Sequence, residues 1–281
     1  MNVITVNVGQ GSLAIVRHKG EAIIVDSRIP PSDDNTVAYV KQMFAISLKG
    51  HYVKGLILTG FDKDHSDVTG VSIVLKKYRP DWVMYPRYYK ATEEARLVFD
   101  LIAQEEKTRR TSRSPLRRIS VRLDQLTSRK LGNLSTSFDF ELFSPHISDM
   151  DNSNNCSIVL KLTGLGSRGF SYLITGDTEI ERWETIAGYF AGALKAHVLA
   201  APHHGSKNAT HPASLLYIEP HTVLISAGVD NSYGHPDPAA ERVYRRVAKY
   251  VFSTNMDRGV SLLTQPGATE LATTLIPSSN A

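Results

Sequence analysis

Apolar residues fall at alternate positions as the chain opens. VITVNV at 3–8, SLAIVRH at 12–18 and EAIIVDS at 21–27 repeat this pattern, separated by Gly9-Gln10-Gly11 and Lys19-Gly20. A period of two predicts half-buried antiparallel strands. The spacing turns helical over 34–47, where Val37, Val40, Met43 and Phe44 share a face and Ser32 or Asp33 serves as the cap. GLILT at 55–59 is apolar throughout, which predicts a strand covered on both faces. Residues 67–77 and 91–107 read as helices. The stretch 107–130, with Pro115 and several serines, reads as a loop holding one short strand, ISVRL.

Beyond it the strand rhythm resumes with FDFELFS, SIVLKL and FSYLIT. TEIERWETIAGYF predicts a helix opened by Thr178, with Glu179 and Glu181 favourably placed in its first turn. AHVLAA, TVLISAG and GVSLLTQ predict further strands, and 238–249 a helix carrying Ala239, Val243 and Val247 on one face. The expected organisation is one α/β domain over 1–275, with 107–130 as a basic insertion and 276–281 as a disordered tail. Two separable domains are disfavoured because the candidate ligands come from both halves.

Of the 281 residues, 42% are hydrophobic and 21% charged, as in a soluble globular protein with a sizeable core. No apolar run is long enough to span a bilayer, and the first residues lack the pattern of a signal peptide. A single cysteine, Cys156, cannot close an internal disulfide, so a reducing, cytoplasmic setting is expected. The net charge of +4 tolerates an anionic substrate without demanding one. Its distribution says more: from Lys107 to Lys130 nine Lys or Arg face one acid, Asp124. That segment is either a solvated excursion or a phosphate-tracking patch that uses Arg109, Arg110, Arg117 and Arg118.

The candidate chemistry sits just past the apolar runs. GLILTG leads into Asp62-Lys63-Asp64-His65, FSYLIT into Gly176-Asp177, and AHVLAA into Pro202-His203-His204-Gly205-Ser206. Carboxylates and imidazoles at buried strand ends are costly to desolvate unless paired, and a shared divalent cation pairs them all. Nitrogen and oxygen donors without thiolate fit Zn²⁺, Mn²⁺ or Fe²⁺, the carboxylates leaning toward Mn²⁺. Each motif alone also fits a solvated turn or a cap; the three in this order predict a metal site that activates water. Gly9-Gln10-Gly11 leads into a strand rather than a helix, which argues against a dinucleotide fingerprint.

With these residues in view, the chain resembles the metallo-β-lactamase superfamily, and in particular the metallo-β-lactamase-like domain of bacterial competence DNA-uptake channel proteins. The matching segments are VNVGQGS, AIIVDS, LILTGFDKDHSDVTG, NNCSIVLKL, YLITGDTE, VLAAPHHGSKNATHP and ISAGVDNSYGHPDP. The resemblance implies a four-layer αββα sandwich. It implies that Asp64, His65 and His204 hold one metal, that Asp177 bridges, and that Asp62 belongs to a second metal position. Asp26 would orient the ligand loop, with His203 and Asn155 beside it, and His203 is the alternative ligand to His204. His235, in NSYGHP, would contact a phosphate or protonate the leaving group alongside catalytic Asp64, and Ser206 and Lys207 would help bind substrate.

One position departs from the family. Gly60 stands where the family carries a histidine, and the region of Asn152 to Asn155 lacks the family's later histidine. One tight Zn²⁺ or Mn²⁺ with a second site weak or absent is therefore expected. The expected activity is phosphodiester hydrolysis on DNA or RNA. The alternatives are hydrolysis of a small molecule (a cyclic nucleotide, phosphorylcholine ester or lactam) and a regulatory, partner-binding role for a weakened site. Without the membrane channel of the uptake proteins, the chain is expected to be freestanding and to act with separately encoded partners.

Overall fold

The computed structural model describes residues 1–30, 33–88, 90–149, 152–166, 169–267 and 270–278. Strands β1 (Asn2–Thr5), β2 (Ala14–His18) and β3 (Glu21–Val25) form the expected antiparallel meander. β4 (Tyr52–Ile57), β5 (Trp82–Pro86) and β6 (Arg117–Val121) then add in parallel beside β3. With β14 (Val260–Pro266) and β15 (Leu271–Pro277) they make an eight-stranded sheet ordered β15-β14-β1-β2-β3-β4-β5-β6.

The second sheet has seven strands. It contains β7 (Arg129–Lys130), β8 (Phe138–Ser144), β9 (Val159–Gly164), β10 (Ser171–Ile174), β11 (Val198–Ala200), β12 (Thr222–Ile225) and β13 (Tyr250–Ser253). They lie side by side in reverse sequence order, and β10 through β13 run parallel.

Side-chain alternation explains the layering. Along β3, Ala22 and Ile24 enter one apolar cluster while Ile23 and Val25 enter another. The first cluster packs against helices α1 (Asp34–Ser47), α2 (Val68–Ile73) and α3 (Glu93–Arg109) through Phe44, Val71 and Val98. The second lies between the sheets, where Trp82 meets Phe140 at 5.7 Å. It continues to α4 (Ile180–Phe190), α5 (Pro212–Ile218) and α6 (Pro238–Val247) through Trp183, Leu215 and Tyr244. This is the four-layer αββα metallo-β-lactamase-like sandwich. Because helices cover its outer face, the opening meander is buried on both sides rather than half-buried as its period suggests.

Several boundaries move. Asp33 caps α1 by accepting from the amides of Asn35 and Thr36, whereas Ser32 lies outside the described residues. The helix expected over 67–77 changes to a wider π turn, Val74–Tyr78, after Ile73. α4 begins after Glu179 rather than at Thr178, and α6 stops at Val247. The basic stretch is not an excursion from the fold: α3 runs into it, and β6 and β7 close one edge of each sheet. Ile276 and Pro277, expected in a disordered tail, pair with Ser261 and Val260. Residues 279–281 lie outside the described set.

Candidate metal centre

The parallel strands of both sheets end on one side of the sandwich, and the polar motifs follow those ends. Past β3, Asp26 takes a left-handed turn (φ 55°) and is almost wholly buried. Its carboxylate accepts from the amide of Thr59 at 2.7 Å, from the Thr59 hydroxyl at 2.8 Å, and from Nδ1 of His65 at 2.8 Å. Donation through Nδ1 leaves Nε2 of His65 facing the other sheet. The loop carrying His65 is itself stitched down: the amide of Ser12 donates to the Asp64 carbonyl, and that of Ser27 to the His65 carbonyl.

From the second sheet, β10 gives way to Gly176 and Asp177. Gly176 has φ 52°, and a Cβ there would stand 2.7 Å from that of Ser157 and 3.0 Å from that of Thr59. Only glycine lets the chain turn at so close an approach of the sheets. The Asp177 amide then donates to the Ser157 hydroxyl. Past β11, His203 and His204 both adopt left-handed angles (φ 49° and 55°) before Gly205 at φ 80°. A Cβ on Gly205 would sit 2.9 Å from that of Pro236, so the turn also seats the loop bearing His235. Nδ1 of His204 donates to the Ser226 carbonyl at 2.8 Å, which again aims Nε2 inward.

Asp64, His65, Asp177 and His204 thus converge, with one ligand atom from each lying within 4.8 Å of the others. Nε2 of His65 is 2.8 Å from Oδ1 of Asp177, and Nε2 of His204 is 3.4 Å from Oδ2 of Asp64. His65 Nε2, Asp177 Oδ1 and His204 Nε2 are buried and make no hydrogen bond of good geometry, although His65 and Asp177 are in ion-pair contact. Separations near 3 Å suit donors sharing an ion at bond lengths of about 2.0–2.2 Å. The donor set, two imidazoles and two carboxylates, fits a divalent cation.

Electrostatics point the same way. Burial alone would lower the His65 pKa, yet Asp177 and Asp26 hold it well above the ordinary imidazole range. Burial likewise opposes ionisation of Asp64, but the close approach of His204 and the charge of His65 bring it down to about 2. Asp177 is held well below the usual carboxylate range by His65, again against burial. Without a cation, the cluster balances its carboxylates by drawing protons onto its imidazoles.

The remaining expected residues divide. His235 is at the cluster, its ring stacked on His204 with centroids 6.4 Å apart; burial, then the neighbouring His203 and His204, lower its pKa. His203 borders the cluster, with Nε2 3.9 Å from Asp177. Asn155 accepts from the Glu179 amide at 3.0 Å, two residues past Asp177. Ser206 is buried and its hydroxyl accepts from the Asn208 amide, while Lys207 is exposed just beyond it.

Asp62, expected at a second metal position, is ion-paired with the Lys90 ammonium and is not among the four converging residues. The four arginines expected to bind substrate are distributed over other parts of the fold. Arg109 is 1% exposed and donates to the carbonyls of Pro80 and Ser114, which fixes the chain entering β5. Arg110 follows it as the cap of α3. Arg117 pairs in register with Trp82 at the start of β5, the sheet end opposite Thr59, and Arg118 is bound to Glu106 at 2.8 Å. The exposed cations that do follow strand ends on the cluster's side are Lys63, Arg87 and Lys207.

Glu179, expected only as a favourable charge at the start of α4, has a further role. Asn152 and Asn154 donate to its two carboxylate oxygens at 3.0 and 2.9 Å, and Nδ1 of His203 lies 3.8 Å away. The run Asn152-Ser153-Asn154-Asn155, four polar residues before an apolar strand, was the available signal.

No protein-family model matches the chain. It is 29% identical over 205 residues to ComE operon protein 3 of Bacillus subtilis, which covers 72% of this chain and 23% of that protein. It is 31% identical over 107 residues to competence protein ComA of Neisseria gonorrhoeae, covering 38% of this chain and 15% of that one. The chain thus spans less than a quarter of the curated relatives it matches. Among solved structures, a mutant of the CmlA beta-hydroxylase superposes with a TM-score of 0.52 at 14% identity, over 94% of this chain and 54% of that one. That likeness is one of fold.

Proposed function

We propose, for a chain with the metallo-β-lactamase-like sandwich and sequence similarity to competence proteins, that it is a metal-dependent hydrolase of phosphodiesters with nucleic acid as its substrate. The observation that carries this reading is the convergence of two imidazoles and two carboxylates from opposite sheets, with one ligand atom of each within 4.8 Å of the others. Asp64, His65, Asp177 and His204 would hold the ion, Zn²⁺ or Mn²⁺ by donor chemistry. Such an ion supplies a nucleophilic hydroxide near neutral pH and neutralises charge developing on the phosphate.

The chain's own groups do the rest. Asp26 and the Ser226 carbonyl fix the two imidazoles in the tautomer that presents Nε2. Asp64, a third exposed at its side chain, is the most open of the four and faces the side from which a substrate arrives. His235, kept neutral by burial, offers a ring N–H to a phosphate or leaving oxygen. Lys63, Arg87 and Lys207 supply positive charge on the same side. The Asp62–Lys90 pair supports a single tight ion, because an ammonium already neutralises the carboxylate of the second position.

A second reading, hydrolysis of a small phosphodiester such as a cyclic nucleotide, is favoured by the placement of Arg109 and Arg117 at the far end of the sheet. The deciding experiment incubates purified protein with single- and double-stranded DNA, RNA and cyclic nucleotides in Mn²⁺ and in Zn²⁺. Metal binding at stoichiometry with no cleavage of any of these would end the phosphodiester reading. Cleavage of cyclic nucleotides alone would select the second.

A further inference from the structure

An exposed aromatic ring is linked to the metal cluster through a histidine. The His204 and His235 rings have centroids 6.4 Å apart and planes 24° from parallel, and the His235 and Tyr233 rings are 5.9 Å apart at 25°. The outermost ring, Tyr233, is 69% exposed. Other rings are exposed as well, such as Tyr189, but Tyr233 is the one on the loop beside the candidate site, where an amphipathic ring can take part in recognition.

The loop is fixed. Nδ2 of Asn231 donates to the carbonyls of Gly228 and His235, and Oδ1 of the same side chain accepts from the His235 amide at 3.0 Å. The Asp237 amide donates to the Gly205 carbonyl, tying the loop to the turn that carries His204. Val229 on the same loop is 44% exposed. The ring is therefore held out on a braced support, so little ordering remains to be done when a flat partner lands on it.

We infer that Tyr233 is a stacking platform for a nucleobase whose adjoining phosphodiester lies at the metal cluster, so that the preferred substrate presents an unpaired base. The inference rests on the phosphodiesterase reading and deepens it. A duplex keeps both faces of its bases stacked, whereas an unpaired base has a free π-face for an aromatic side chain. Lys63 and Lys207, exposed on the same side, can meet flanking phosphates. The base could belong to a single strand or to a free cyclic nucleotide, and the ring treats both alike.

The test is a fluorescence-anisotropy titration of wild-type protein, Tyr233→Ala and Tyr233→Trp, in EDTA and in Mn²⁺. The ligands are a labelled oligothymidylate, the matching abasic oligomer and a labelled cyclic nucleotide. Tyr233→Ala should weaken binding of a base-bearing ligand by roughly ten- to a hundred-fold and leave the abasic oligomer unchanged, while Tyr233→Trp keeps wild-type affinity. Loss on the oligomer alone identifies a strand as the source of the base; loss on the cyclic nucleotide alone identifies the free nucleotide. Equal binding by Tyr233→Ala and wild type, or equal weakening on abasic and base-bearing oligomers, overturns the platform and leaves the phosphodiester reading standing if the wild type still cleaves. A wild type that neither binds nor cleaves any of the three ligands overturns both.

Discussion

The two imidazoles of the cluster are presented by loops built on different principles. After β4, His65 is backed by a buried carboxylate, Asp26, which also gathers the amide and hydroxyl of Thr59. After β11, His204 is backed only by the neutral Ser226 carbonyl, and its position comes from two successive left-handed residues closed by Gly205. One side is held by charge, the other by backbone conformation. Left-handed non-glycine residues cost about 1 kcal/mol or more each, so the second loop is strained to deliver its ring. A carboxylate partner also raises the donor strength of its imidazole, which a carbonyl does to a smaller degree. The first loop should therefore govern affinity for the ion and the second its exact seat.

The sharpest way to break this contrast is to remove a donor. His65→Ala or Asp177→Ala should abolish metal uptake, read as less than a tenth of an equivalent by elemental analysis after desalting, with cleavage lost alongside. Retained stoichiometric metal in either variant would dismiss the cluster as the site. Next, Asp26→Asn should keep the hydrogen bond and lose the charge. Metal affinity should fall by about 10- to 100-fold in competition with a chelator, while the fold persists by circular dichroism.

On the other loop, Gly205→Ala should act through conformation. Its φ of 80° and the 2.9 Å approach to Pro236 predict a loss of about 1–3 kcal/mol in folding stability, seen as a lower Tm without metal. If it instead left the metal-free Tm unchanged and weakened only metal affinity, the distinction between the loops would collapse. A smaller effect is expected at the second metal position. Chain neighbours aside, the nearest atom to a would-be Cβ on Gly60 is the Ser157 hydroxyl at 4.0 Å, so a Cβ is accommodated there. Gly60→His with Lys90→Ala should raise bound metal above one equivalent, and Asp62→Ala alone should leave it at one. Least of all, Arg118→Ala should leave nucleic-acid affinity and its salt dependence unchanged, because that guanidinium is occupied by Glu106.

The four converging residues were legible because each follows an apolar run whose end a strand must occupy, and strand ends in a parallel sheet lie on one side. Asp26 was legible for the same reason, at the end of AIIVD. The Lys90–Asp62 pair was not, since nothing local distinguishes Lys90 from other surface lysines until the chain after β5 returns to the first ligand loop. β5, β13 and α5 are not legible in the sequence because WVMYP, YVFS and PASLLYI are short and carry no clear period. The role of the basic stretch is hidden for a different reason: charge density along a chain does not say which end of a sheet it borders. Arg109 shows the extreme case, a buried guanidinium that donates to the carbonyls of Pro80 and Ser114.

The cluster draws Asp64 and His65 from one sheet and Asp177 and His204 from the other. An ion seated among them would therefore also be a rivet through the sandwich, adding a bond between layers that apolar packing and a few hydrogen bonds such as Ile158 amide to Thr59 carbonyl already join. At a concentration a hundred times its Kd, such a ligand adds about 2.7 kcal/mol to the folded state. Scarcity of the ion would then shorten the lifetime of the polypeptide against proteases as well as silence its chemistry.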